Sequence, residues 1–170
     1  MKLYCTKRGK FHQSIEAYAF AEKMFFSNFQ ENMPIIEKTP NGKPFFPDRS
    51  DIHFSLSHSK THILCAFSHT PVGVDIESER NISERTQKFF CTAEELKYFE
   101  PLELWVIKES YIKLFGKTIS DIKNLRFSRK NREIITPDKT VKTQLYRTPT
   151  YYAAVSTIGS EPPKSIEFIA

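Results

Sequence analysis

The run Leu104-Trp105-Val106-Ile107-Lys108-Glu109-Ser110-Tyr111-Ile112-Lys113-Leu114-Phe115 constrains the fold of this chain more than any other stretch. Spaced at about 100° per residue, Leu104, Phe115, Ile112, Trp105, Leu114, Ile107 and Tyr111 form one continuous apolar arc, which predicts a helix packed on a core. Lys108 interrupts that arc between Phe115 and Ile112, and Glu109 and Lys113 stand one turn apart where the arc ends beside Trp105. Taken alone, Glu109 and Lys113 read as an i,i+4 surface pair, worth a few tenths of a kcal/mol. Lys108 is harder to place, because a lysine on the packed side of a helix is costly unless its charge is matched. The rest of the chain is therefore searched for the anion it serves.

A chain of 170 residues with 39% hydrophobic residues can bury a real core, and we expect one compact domain with two lobes. No apolar run is long enough to span a bilayer, and residues Met1 to Arg8 lack the apolar stretch of a signal peptide, so a cytoplasmic protein without a membrane partner is expected. Cys5, Cys65 and Cys91 are widely spaced and odd in number, which suggests neither a disulfide framework nor a zinc knuckle. A net charge of +5 admits an anionic ligand, an acidic protein partner or nucleic acid without choosing among them.

Lys7, Arg8 and Lys10 form a small basic cluster around Gly9, of a kind that is usually solvated but at the edge of a site can hold a phosphate. From Ser14 to Phe29, Ile15, Tyr18, Ala19, Phe25, Phe26 and Phe29 recur at three- and four-residue steps, predicting an amphipathic helix whose aromatic stripe is core. Asn41-Gly42-Lys43-Pro44 is a turn signal. Three short strands are expected between Ile52 and Glu77, with Ile63 to Phe67, apolar on both faces, as the central one. In Val72-Gly73-Val74-Asp75-Ile76-Glu77 the alternation puts the three branched residues on one face and leaves Asp75 and Glu77 together on the other, with Gly73 removing bulk beside them. Residues i and i+2 on a strand lie about 6.6 Å apart, a spacing from which two carboxylates can converge on a divalent cation; an exposed strand face fits the segment alone equally well. Asn81 and Thr92, each followed three residues later by Glu, predict two short helices, one after Asn81 and one over 92–99. Antiparallel strands are expected over 125–128, 133–136, 141–146 and 151–156, with an edge at 166–169. His62 to Ser68 and Tyr151 to Thr157 echo each other, which two related lobes would explain.

The order Gly42-Lys43-Pro44, Phe54-Ser55-Leu56-Ser57-His58-Ser59, Val72-Gly73-Val74-Asp75-Ile76-Glu77, then Trp105-Val106-Ile107-Lys108-Glu109-Ser110 followed by Lys113 resembles the signature set of the 4′-phosphopantetheinyl transferases, surfactin-synthetase-activating type. The resemblance covers about residues 40 to 117 with specific motifs. It implies an α+β fold of two pseudo-symmetric lobes, each a small antiparallel sheet with a packed helix: residues 1–71 on the nucleotide side and residues 72–170 carrying the metal and the catalytic helix. The first lobe would be shortened, because the strands that precede its helix look reduced or missing. The activity implied is Mg2+-dependent transfer of 4′-phosphopantetheine from coenzyme A to a serine of an apo acyl or peptidyl carrier protein, by a monomer. By motif position Asp75, Glu77 and Glu109 would be the magnesium carboxylates. Ser57 and His58 would sit near the nucleotide, with His58 at the 3′-phosphate and Lys43 lining the same pocket. Lys108 and Lys113 would face the phosphates, with Glu109 as general base, and Lys7, Arg8 and Lys10 stand in for the family's basic contacts by position. Phe89, Phe90 and Leu96 are expected to help dock the carrier.

The chemistry agrees with that set, since cleaving a pyrophosphate requires charge neutralisation on the transferred and leaving groups. The competing reading is a nucleic-acid module: Arg126, Arg129, Lys130, Arg132, Lys139, Lys142 and Arg147 crowd the last strands with Phe127 and Tyr146 between them. A metal hydrolase resting on His58 and His62 lacks a third ligand.

Overall fold

The computed structural model describes residues 1–9 and 13–170. It opens with a strand, β1 (Lys2–Lys7), that the sequence reading passed over. Leu3, Tyr4 and Cys5 are its buried centre between flanking lysines, too short a run to show a period. Helix α1 (Gln13–Phe29) follows and packs Ala17, Phe20, Ala21, Met24 and Phe25 inward, while Ile15 and Phe26 of the expected stripe stand exposed. A ribbon of β2 (Glu37–Lys38) and β3 (Pro44–Phe45) closes through Gly42, whose φ of 86° demands glycine. Then come β4 (His53–His58), β5 (His62–Ser68) and β6 (Val72–Ser78).

Helix α2 (Glu84–Phe90) starts two residues later than its Asn81 signal implied, capped by Ser83. The box at Thr92 does form, with the Thr92 N–H donating to Glu95 Oε2 at 3.0 Å and the Glu95 N–H to Thr92 Oγ1 at 3.3 Å. It opens a single 3-10 turn, Glu95–Lys97, and not a helix to Phe99. Helix α3 (Pro101–Phe115) has Pro101 in its first turn, a Glu100–Glu103 capping box, and ends at Gly116 in the left-handed region. A second 3-10 segment, Ile119–Asn124, precedes β7 (Ser128–Lys130), β8 (Glu133–Ile135), β9 (Val141–Arg147), β10 (Tyr151–Ile158) and β11 (Glu167–Ile169).

The architecture is α+β with two sheets of matching topology. In the first, β1, β5 and β4 lie side by side in that order; in the second, β6, β10 and β9 do. Each trio is antiparallel and each arises from strand, helix, strand, strand along the chain, so the echo between His62–Ser68 and Tyr151–Thr157 falls on equivalent central strands. The last strand, β11, returns to add a parallel edge to β1, so the second half of the chain completes the sheet of the first.

Inner faces of the two sheets meet through Leu3, Cys5, Leu64 and Ala66 against Val74, Ile76, Ala153 and Val155. Helix α1 covers the outer face of the first sheet and α3 that of the second. Where β4 meets the unpaired edge of β6, serine hydroxyls replace a backbone ladder. The Val74 N–H donates to Ser55 Oγ at 3.0 Å, the Ile76 N–H to Ser57 Oγ at 3.3 Å, and Ser78 Oγ to Ser59 Oγ at 3.0 Å. Serines at i, i+2 and i+4 match the two-residue period of the strand opposite.

The predicted arc on α3 is only part of its buried surface. Val106 and Ser110 are fully buried, whereas Phe115 is exposed and Trp105 half-buried against Phe90. The helix is covered on two sides, by β6 and β10 on one and by the segments after α2 and after Asn124 on the other, which a single apolar stripe cannot express. Trp105→Ala is expected to lower stability by about 2–3 kcal/mol, under the ~3–5 kcal/mol of a fully buried aromatic; an unchanged melting temperature overturns this packing of α3.

Candidate functional site

The site is assembled where β6 crosses α3, and Gly73 makes that crossing possible. A Cβ at Gly73 would stand 2.8 Å from Leu114 Cα and closer still to Ser110 O and Leu114 N. With that side of β6 laid on the helix backbone, Asp75 and Glu77, on the same face as Gly73, are brought beside Glu109 and Lys113. Lys113 Nζ lies 2.6 Å from Asp75 Oδ1, and the same oxygen accepts the hydroxyl of Ser57 at 2.8 Å. Asp75 Oδ2 and Glu109 Oε1 are buried and find no hydrogen-bond partner among the described residues. Burial first, then the charges of Asp75 and Glu77, push the Glu109 carboxyl up to about 7, with Lys113 opposing. Glu77 leans outward to Arg80, 3.5 Å away.

Glu109 and Lys113 open onto a cavity of about 540 Å3, with Asp75 behind Lys113 and off the lining. Its walls are Ser14, Ala17 and Tyr18 of α1, Phe54 to Leu56 and His58 of β4, the 41–44 turn, and Glu109, Ile112 and Lys113 of α3. The 41–44 turn also caps the helix from the opposite lobe: Asn41 Nδ2 donates to Gly116 O at 2.9 Å and Lys43 Nζ donates to Leu114 O. Burial brings the Lys43 ammonium down to about 8. Asn41, a turn residue by sequence, serves here as a cap, since a cation and an amide beside a glycine turn are what carbonyls at a helix C-terminus need.

The remaining expected residues divide. His58 lines the cavity, held below its ordinary pKa by burial and then by the Lys113 and Arg8 charges, so Arg8 lies within electrostatic reach of it. Lys7 is exposed, paired across the sheet with His62 and away from the cavity lining. Lys10 lies outside the described residues. Ser57, 5% exposed, is turned from the cavity toward β6 and Asp75.

Lys108 is the clearest correction. It is 0% exposed, and its Nζ sits 2.8 Å from Glu95 Oε1 while donating to Phe90 O at 2.6 Å and Leu125 O at 3.0 Å. Glu95 is completed by the N–H groups of Thr92 and Phe127 and by the Thr92 hydroxyl. The anion that Lys108 serves is an interior carboxylate, so this lysine does not face the phosphates. Phe90, 2% exposed, packs on Trp105 and leaves the expected docking set, while Phe89 and Leu96 remain exposed. Of the two aromatics in the competing reading, Phe127 is buried against Tyr111 and Tyr146 is half-buried with its hydroxyl donating to Pro163 O, while Arg129 lies over Phe99 and Arg147 over Tyr152.

Among the described residues no three His, Cys, Asp or Glu side chains are gathered tightly enough to hold a metal ion as they stand. Two neighbouring carboxylates with orphaned buried oxygens and a third acid in Coulomb range nevertheless form a hard-oxygen donor set of the kind magnesium takes. The residues fit that ion.

A sequence model of the 4′-phosphopantetheinyl transferase superfamily matches residues 71–160. The chain is 41% identical over 91 residues to the 4′-phosphopantetheinyl transferase Sfp of Bacillus subtilis (strain 168), a match covering 46% of this chain and 40% of that protein. It is 39% identical over 93 residues to the 4′-phosphopantetheinyl transferase gsp of Aneurinibacillus migulanus, covering 49% and 38%. The chain thus spans about 40% of the length of these curated relatives. With more than half of its residues matched and the strand–helix crossing formed within that match, the chain belongs to the 4′-phosphopantetheinyl transferase superfamily, of the surfactin-synthetase-activating type its motifs resemble.

Proposed function

We propose that this chain transfers the 4′-phosphopantetheine group from coenzyme A to a serine hydroxyl of an apo acyl or peptidyl carrier protein, releasing adenosine 3′,5′-bisphosphate. The observation that carries the reading is the pair of buried carboxylate oxygens, Asp75 Oδ2 and Glu109 Oε1, that find no hydrogen-bond partner among the described residues, beside the Lys113 ammonium, with Glu109 and Lys113 at the wall of the cavity and Asp75 directly behind Lys113. In this reading residues 1–71 are the nucleotide-side lobe and residues 72–170 the metal and catalytic lobe. Magnesium, when bound, supplies charge neutralisation on the pyrophosphate, and Asp75, Glu77 and Glu109 would hold it.

The chain's own groups do the rest. Lys43 and His58 line the cavity on the nucleotide side, with Arg8 placed to add charge near His58. The carrier serine Oγ forms a bond to the phosphorus of phosphopantetheine as the bond to the bridging oxygen breaks, and the bisphosphate leaves with that electron pair. Lys113 offsets charge on the leaving phosphate. The serine proton passes to Glu109, the carboxylate beside Lys113 at the cavity wall. Phe89 and Leu96 offer exposed apolar contacts for the carrier.

The test is mass spectrometry of a panel of apo carrier proteins incubated with the chain, coenzyme A and magnesium. We expect one phosphopantetheine added on serine, abolished by chelation and slowed by roughly 10²–10⁴-fold in Glu109→Gln, the usual range for a proton-transfer group. No addition to any carrier overturns the reading.

Glu109 also sets a pH signature. Its folded pKa, about 7, lies above the ordinary ~4.3 of an unfolded glutamate, so between these values the folded state binds the extra proton. Stability contributed by this group is therefore full at acid pH and declines as pH rises toward 7. The metal-free parent should melt higher at pH 5 relative to pH 7.5 than Glu109→Gln does; identical pH profiles would mean that Glu109 is not held in this environment.

A further inference from the structure

We propose that Ser57 is a positioning residue for the Asp75 carboxylate and not a contact to the nucleotide; this rests on the reading above that Asp75 holds the metal. The hydrogen-bond inventory of its hydroxyl carries the argument. A serine Oγ has one proton to give and two lone pairs to receive. Here the proton goes to Asp75 Oδ1 at 2.8 Å, while Oγ accepts the Ile76 N–H at 3.3 Å and Lys113 Nζ at 3.0 Å. All three capacities are used within the protein, which leaves none for a ligand.

These partners lock the carboxylate in one orientation. Ile76 N–H ties Ser57 to the backbone next to Asp75, so hydroxyl and carboxylate are fixed to the same strand and cannot drift apart. Oδ1 is taken by Ser57 and by Lys113 at 2.6 Å, and Oδ2 is left buried and unpartnered as the oxygen available to a cation. Ser57 also lies off the cavity lining at 5% exposure, whereas its neighbours Leu56 and His58 line it. Ser55 provides the internal comparison. It makes the equivalent bond to the Val74 N–H across the same seam and has no bond to Asp75.

The experiment is manganese binding to the full chain without coenzyme A, followed by electron paramagnetic resonance, in the parent, Ser57→Ala, Ser57→Thr and Ser55→Ala, with melting temperatures and the KM for coenzyme A at saturating metal. Ser57→Ala is expected to weaken manganese binding by roughly 10–100-fold, the usual consequence of removing a group that orients a metal-binding side chain. Ser57→Thr restores binding, Ser55→Ala lowers the melting temperature with manganese binding unchanged, and the KM for coenzyme A stays at the parental value in Ser57→Ala. Parental manganese affinity in Ser57→Ala combined with a raised KM for coenzyme A makes Ser57 a nucleotide contact and overturns the proposal. Equal weakening in Ser55→Ala overturns it too, since the effect would then belong to the seam. A parent chain that binds no manganese defeats the metal reading of Asp75 itself.

Discussion

Gly73→Ala is expected to destabilise this protein by about 3–5 kcal/mol, above the ~1–3 kcal/mol usual for overpacking, and to lower its melting temperature by roughly 6–20 °C. The excess follows from what the new methyl group meets. A Cβ at position 73 would lie within van der Waals distance of the α3 backbone at Ser110 and Leu114, which cannot swing aside as a side chain end can. Relief requires β6 and α3 to part, and those elements carry Asp75 and Glu77 on one side and Glu109 and Lys113 on the other. Any protein that does fold should bind manganese poorly even though every carboxylate is intact. A Gly73→Ala chain with parental melting temperature and manganese affinity would show that strand and helix do not approach so closely.

Lys108→Met is expected to lose a similar about 3–5 kcal/mol, because it strands the Glu95 carboxylate in the interior without its counter-charge. Burial already holds the Lys108 ammonium below its ordinary pKa, with Glu95 opposing that shift. Lys108→Met/Glu95→Gln should recover part of the loss, since the buried charge is removed from both partners together. At a temperature where Lys108→Met remains folded, the KM for coenzyme A should equal that of the parent. Parental stability with a raised KM would return Lys108 to the phosphates and contradict its buried setting.

These variants mark where the sequence is informative. The two-residue alternation of Val72 to Glu77 is a local property, and Asp75 and Glu77 do share the face of Gly73; that this face is laid on α3 is a property of the fold that alternation does not carry. Pro101 and Gly116 bracket α3 because phase and cap chemistry act within a few residues. Lys108 shows the limit. That it needed an anion was legible, but which one was not, because Glu95 is recruited through a turn whose burial depends on α2, α3 and the segment after Asn124 folding together. Ser57 is similar: alternation assigns it to the face of Ser55, and only the neighbouring sheet decides that its hydroxyl meets β6. Strand β1 escaped notice because its residues become a strand by pairing with β5, over fifty positions away.

The doubled topology has a consequence for where reactive groups reside. Laying His62 on Tyr151 in the strand registers sets Tyr4 against Asp75 and Thr6 against Glu77. In the first copy the Tyr4 hydroxyl donates to Asn28 Oδ1 of α1 at 2.7 Å, anchoring its own helix. One half of the molecule thus gives these positions to cohesion while the other gives them to acids, so that a twofold scaffold becomes one-sided in charge.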